Sequence, residues 1–166
     1  MIAKLLRRTR RNHALEHATI TLLNRRHPQA RLMGISGPRG FTLYTNLTAE
    51  EVFPAVKESL RLLKAGQHAL AIQPNCGTTL LAAATLTTVT AYLGLGNPHL
   101  AARERRERFP QVIMLNALMI LLARPLGAWL QANVTVDADL DGAEITSILT
   151  DYHQNYRRIR VQVKHT

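Results

Sequence analysis

Eighteen consecutive residues, Thr78 to Leu95, carry no charge, and a second apolar stretch follows at Val112 to Leu130. At ~1.5 Å per residue, a helix over the first stretch covers ~27 Å, just enough for a hydrocarbon core of ~30 Å. Its many threonines dilute the apolar character, although their hydroxyls can bond a preceding carbonyl or a neighbouring helix. The second stretch holds the run Val112 to Ala123 and is interrupted by Arg124-Pro125. Arg124 can snorkel to the interface or pair inside, Pro125 can kink the helix, and Trp129 can anchor it at the interface. The two stretches predict a helical hairpin over 78–131, transmembrane or re-entrant. The competing reading is a pair of buried helices in a soluble domain.

Charge constrains the rest. A length of 166 residues suits one domain, or one small domain with an inserted membrane element. The formal charge of +10 is concentrated early: residues 1–76 carry 12 Lys+Arg against 4 acidic residues. The cluster Arg7-Arg8-Thr9-Arg10-Arg11 beside Ile2, Leu5 and Leu6 predicts a basic amphipathic helix suited to an anionic leaflet, at ~1 kcal/mol per cation near the surface. Positive-inside asymmetry then places the soluble part on the cytoplasmic side. Arg103, Arg105, Arg106 and Arg108, in the connection between the apolar stretches, oppose a full crossing and keep a re-entrant hairpin open. Met1 to Arg11 lacks the apolar core of a signal peptide, so none is expected. Nucleic acid is not an expected partner, because aromatics are 5% and neither an RRM-type aromatic motif, zinc-finger spacing nor a helix-turn-helix is evident.

Flanking the hairpin, residues 1–77 and 132–166 read as an α+β fold, a small sheet with two packed helices. Helical periodicity predicts a first helix from about Thr9 to Arg26, ended by His27-Pro28. Arg31 to Ser36 and Phe41 to Thr45 flank Gly37-Pro38-Arg39-Gly40, a hairpin signal. Thr48-Ala49-Glu50-Glu51 is a capping box for a helix running to Ala65, with Gly66 as its C-cap. Ala69 to Gln73, Asn133 to Asp137, Glu144 to Leu149 and Ile159 to Lys164 are predicted as further strands.

Chemistry enters with His13-Ala14-Leu15-Glu16-His17 on the first helix. Residues i, i+3 and i+4 share a helix face, so His13 and His17 can offer ring nitrogens to one ion, with Glu16 as base or third ligand. Zinc peptidases of the inverzincin type carry the same five-residue pattern, but in much larger proteins. The plain alternative is the wet face of a surface helix. Ala69-Leu70-Ala71-Ile72-Gln73-Pro74-Asn75-Cys76-Gly77-Thr78-Thr79 adds the single cysteine, on a turn constrained by Pro74 and Gly77. Two histidines, one cysteine and an open water position form a catalytic zinc set, although a lone cysteine is most often a small buried hydrophobe. A reducing cytosolic setting suits an unpaired thiol.

With both motifs in order, the chain resembles a family of small bacterial membrane proteins of unknown function whose motifs read Asn-His-Ala-Leu-Glu-His-Ala-Thr-Ile and His-Pro-x-Cys-Gly-Thr-Asn. The first is intact from Asn12 to Ile20. The resemblance extends to Gly40-Phe41 with Tyr44, Leu63 to Gly66, and Leu126-Gly127 through Leu130-Gln131 to Val134-Thr135. The chain is also similar to a membrane family described as predicted metal-dependent enzymes, with His-Gly-Ala-Glu-His and His-Pro-Arg-Cys-Gly-Thr. It departs from both at Gln73, where they have histidine, and from the first at Thr79, where that family has asparagine. A glutamine amide is a weak ligand for zinc, so the expected ligands are His13, His17 and Cys76 alone, or with His68 moved in, unless metal binding has been lost.

These readings imply a protein of the bacterial cytoplasmic membrane, a zinc-dependent hydrolase in which Glu16 activates water against a lipid-borne or membrane-protein substrate. The alternative is a noncatalytic accessory or assembly subunit whose hairpin docks on partner helices, and the loss of the histidine at Gln73 favours it. There Asp139, Asp141 and Glu144 are solvated charges. Heme ligation by His13 or His17 is a third option, without a Cys-x-x-Cys-His attachment motif.

Overall fold

The computed structural model describes residues 1–97, 99, 101–153 and 156–166. The chain divides into two compact units, residues 1–73 with 135–166, and residues 74–134.

In the first unit, helix α1 spans Ile2–Arg26. It begins seven residues before the expected Thr9, because the Arg-rich segment continues the same helix. Strands β1 (Leu32–Gly37) and β2 (Gly40–Thr45) pair through a tight turn at Pro38-Arg39. Helix α2, Ala49–Lys64, starts at the expected capping box: Thr48 Oγ1 accepts from the Glu51 N–H, and the Thr48 N–H donates to the Glu51 carboxylate at 2.7 Å. Ala65 is the C-cap and Gly66 follows it with φ +85, the left-handed backbone that glycine adopts without strain.

Strands β3 (Ala143–His153) and β4 (Tyr156–His165) complete an antiparallel sheet of order β1-β2-β4-β3. The expected alternation on β4 holds, with Ile159, Val161 and Val163 inward and their neighbours outward. Opposite them, Phe41 and Leu43 of β2 align with Val161 and Ile159. Leu15, Leu23, Val52, Val56 and Leu63 from the two helices close a core with the sheet. The architecture is therefore mixed α+β, a small sheet with two helices packed on it.

Two expected strands are not strands. Ala69 to Gln73 forms instead a 3-10 turn, His68–Ala71, leading into an irregular segment. Asn133 to Asp137 is a π-helical turn, Gln131–Thr135, followed by extended chain. Both errors have one cause. The Ala71 and Leu70 carbonyls accept from His17 and Thr21, the Val136 carbonyl accepts from Arg10, and the Asp137 N–H donates to the Arg10 carbonyl. Backbone groups that a ladder would satisfy are satisfied by α1, so these apolar runs need no strand partner.

In the second unit, helices α3 (Gly77–Leu95) and α4 (Ala102–Leu130) pack along each other. Small side chains lie at the seam: Ala82, Thr90, Ala123 and Gly127 are buried, and buried Gln131 donates to Thr79 Oγ1 at 3.1 Å. Arg103 to Arg108, expected in a connecting loop, are the first turns of α4, where Glu104 accepts from the Ala101 N–H and Arg103 pairs with Glu107 at 3.0 Å. The outward surface is apolar, with Leu80, Leu81, Tyr92, Leu93, Met114, Leu121 and Trp129 all exposed. Both helices are long and apolar enough to cross a membrane.

Candidate metal centre

Along α1, every residue from Arg11 to Ile20 except His13 is buried, and five of these carry polar side chains: Arg11, Asn12, Glu16, His17 and Thr19. Such a helix is not a surface helix with a wet histidine face. Burial of polar groups is tolerated only where each finds a hydrogen-bond partner, and the partners identify what each residue does.

The two histidines are held in the same way. His13 Nδ1–H donates to the Thr135 carbonyl at 3.0 Å, and His17 Nδ1–H donates to the Ala71 carbonyl at 2.7 Å. A carbonyl can only accept, so Nδ1 of each ring carries a proton, and in the neutral ring that fixes the tautomer. The rings meet edge to face, 4.1 Å between centroids at 64°. A second nitrogen anchored on a backbone carbonyl is the arrangement that fixes tautomer and ring direction in metal-binding histidines.

Gln73, standing where the resembled families have histidine, braces the site. Its Nε2 donates to the His17 carbonyl at 3.0 Å and to Thr21 Oγ1 at 2.9 Å, and Thr21 itself donates to the His17 carbonyl at 2.9 Å. Glu16 points to the sheet: Ser36 Oγ donates to its carboxylate, and a Cβ at Gly34 would collide with its side chain. Glycine at 34 is what lets this carboxylate lie against β1.

Cys76 comes three residues after Gln73 and caps α3, its Sγ accepting from the Thr78 N–H at 3.4 Å. That is a helix N-terminus, where negative charge is favoured. His13, His17 and Cys76 form a group that could hold a metal ion. Neither Glu16 nor His68 is in the group, and His68 is exposed in its 3-10 turn. The donor set is one thiol and two imidazoles, residue types that suit a borderline-soft metal ion.

Several residues that shape the site carried no role in the sequence reading. Asn12, fully buried, donates to the Gly37 carbonyl at 2.7 Å and accepts from His165 Nε2 at 2.8 Å. It pins α1 to the first turn of the sheet and to its last strand. Arg11, also buried, donates to the Asp139 carbonyl and pairs with its carboxylate at 3.3 Å, while Arg7 reaches Asp137 and Asp139 at 3.5 and 3.6 Å. Asp139 is therefore no simple solvated charge; the Asp141 backbone N–H, and then Arg11 and Arg7, hold its carboxyl below the usual range against a desolvation that pushes it up. The basic cluster expected at a lipid surface spends much of its charge on the segment 136–165, where Arg8 also bonds the His165 carbonyl at 3.4 Å. The available signal was position: Asn12 immediately precedes His13, and Thr21 follows His17 by one helical turn.

Residues 8–148 match the family described as a domain of unknown function (DUF6391), and the chain belongs to that family. An uncharacterized protein of Picosynechococcus sp. is 36% identical over 97 residues, covering 51% of this chain and 47% of that protein. The chain thus spans about half the length of this relative. No solved structure matches.

Proposed function

We propose that this member of the DUF6391 family is a membrane-associated zinc protein, with His13, His17 and Cys76 as ligands and a water in the remaining position. The observation that carries the reading is the pair of Nδ1–H donations to the Thr135 and Ala71 carbonyls, which hold the two rings edge to face with Nε2 as the other ring nitrogen of each. Stability alone does not call for two rings placed edge to face with matched tautomers. Cys76 supports it as a third donor of the kind such a set needs.

When bound, zinc in such a set would act as a Lewis acid and supply hydrolytic chemistry, with His13, His17 and Cys76 holding it. In the hydrolytic form of the proposal the substrate is lipid-borne or a membrane protein, reached because the α3–α4 hairpin anchors the chain, and Glu16 handles the proton. A second reading is favoured by one observation: the Glu16 carboxylate receives Ser36 Oγ–H and rests over Gly34, a brace between α1 and β1. In that form the protein is a noncatalytic accessory subunit with a structural metal.

Metal analysis by mass spectrometry on protein purified in detergent without added metal tests the centre. About one zinc per chain in the wild type, lost in His17→Gln and Cys76→Ser, is the expected result. Cobalt reconstitution adds a fold-independent readout, since thiolate-to-cobalt absorption appears only if Cys76 is a ligand. No bound metal in the wild type, even after reconstitution, overturns the proposal. Glu16→Gln then separates the two forms: retained metal with lost hydrolysis supports the enzyme, whereas retained metal with lowered thermal stability supports the brace.

A further inference from the structure

The far end of the α3–α4 hairpin, away from Cys76 along both helices, carries a groove of about 420 Å³ lined by Thr90, Leu93 and Gly94 on α3 and by Arg108, Gln111, Val112 and Leu115 on α4. The lining follows from helical periodicity. Thr90, Leu93 and Gly94 are i, i+3 and i+4; Arg108, Gln111, Val112 and Leu115 are i, i+3, i+4 and i+7. Gly94 sits directly under Val112, where a Cβ would collide with the valine methyl, so the helices close tightly at this level and the groove opens beside the contact.

Its chemistry is graded along the axis. At the mouth are Arg108 and Gln111, polar and exposed; below lie Val112 and Leu115, where the uncharged part of α4 begins. Arg105 stands one turn above Arg108 on the same stripe, its guanidinium donating to the Asn97 carbonyl at 3.5 Å. Arg103 is paired with Glu107, and among the described residues Arg108 lines the groove, with Arg105 one turn above it. Tyr92 and Phe109, both exposed, are aromatic residues of the kind found near a membrane interface.

We propose that this groove binds an anionic phospholipid, its phosphate held by Arg108 and Gln111 with Arg105 above, and one acyl chain lying along Leu93, Val112 and Leu115. The occupant follows from charge complementarity: an apolar trough capped by arginine fits a molecule with a phosphate on a hydrocarbon tail. The arginines at the hairpin tip, which oppose simple burial of that end in hydrocarbon, then have an anion at the headgroup level. The proposal rests on the membrane reading of the hairpin and is independent of the metal centre.

The test uses the full-length protein in neutral detergent, with phosphatidylglycerol as probe, phosphatidylcholine as its uncharged-surface control, and inorganic phosphate as the free-anion control. Native mass spectrometry and titration should show a preferred phosphatidylglycerol that inorganic phosphate does not displace. Arg108→Gln should weaken it about fivefold, the equivalent of ~1 kcal/mol per cation near an anionic surface. Leu115→Trp, which fills the trough without changing charge, should weaken it as well. Arg39→Gln, on the β1–β2 turn, should have no effect, and zinc content should be unchanged in all variants. Equal binding of phosphatidylcholine, displacement by phosphate, or Arg108→Gln behaving as Arg39→Gln would each overturn the proposal. Circular dichroism of each variant ensures that a loss of lipid is not a loss of fold.

Discussion

Helix α1 and the hairpin helices reverse each other's pattern. α1 buries Asn12, Glu16, His17 and Thr19, polar side chains that usually face water, while α3 and α4 turn Leu81, Leu93, Met114 and Leu121 outward. In the span of α3 only 11% of residues are buried. The difference concerns where each helix finds its partners. From Arg11 to Ile20 α1 is largely buried in protein and satisfies polar groups with carbonyls of Gly37, Ala71 and Thr135. The hairpin has protein on one narrow seam of small residues and leaves an apolar surface outward, on two helices long and apolar enough to cross a membrane.

The sharpest way to break this comparison is to truncate one leucine in each region. Leu23→Ala removes a fully buried side chain and should cost the α+β unit about 2–5 kcal/mol by chemical denaturation in detergent. Leu81→Ala, on the exposed face of α3, should leave that unfolding transition where it is. Comparable losses at both positions would mean that the hairpin is a buried helix pair.

Next in size is a charge on the outward face. Leu121→Arg should disfavour membrane insertion by about 3 kcal/mol and move protein from the membrane to the soluble fraction on extraction. The thermal transition of the α+β unit should not change. A fully membrane-bound variant with a weakened α+β unit would refute the assignment of α4 to lipid.

Asn12→Ala probes the opposite pattern. It strips partners from the Gly37 carbonyl and from His165 Nε2, and should lower stability by about 1–3 kcal/mol. Thermal unfolding of the variant checks this, and a shift within error would show that water replaces the asparagine.

The smallest expected effect is a pH dependence. Burial, and then the charges of Arg11 and Arg8, hold the His165 pKa below its ordinary value, with Asp137 opposing. Nε2–H already donates to Asn12, and Nδ1 is buried without a hydrogen-bond partner among the described residues. A proton taken up at Nδ1 would have no acceptor. Because the folded pKa lies below the unfolded one, the neutral ring's contribution is fully present above the unfolded value of ~6.5 and is lost as pH falls through the folded value. The difference in Tm between wild type and His165→Gln should therefore change on acidification, with the wild type losing relative stability. Parallel Tm curves would remove His165 from the account.

Much of this was legible beforehand. The i, i+4 spacing put His13 and His17 on one helix face, the turn around Cys76 was marked by Pro74 and Gly77, and the uncharged run to Leu95 marked a helix long and apolar enough to cross a membrane. The capping box at Thr48 and the alternation on β4 were equally local, each needing only one or two turns or residues of regular backbone. What failed was equally specific. Ala69 to Gln73 and Asn133 to Asp137 read as strands because short apolar runs do not reveal their hydrogen-bond partners, and those partners came from residues of α1 more than forty positions away.

The sequence by itself therefore determined the periodic elements, the charge distribution and the identities of the donors, since these depend on backbone geometry and side-chain chemistry over short spans. Only the tertiary structure decided that Gln73 donates to the His17 carbonyl, that Glu16 lies under Ser36, and that both histidine rings are anchored through Nδ1. The physical reason is that a buried polar atom takes its role from its hydrogen-bond partner. In this chain that partner is a backbone carbonyl or a hydroxyl brought in from a distant segment, and nothing in the local pattern encodes it.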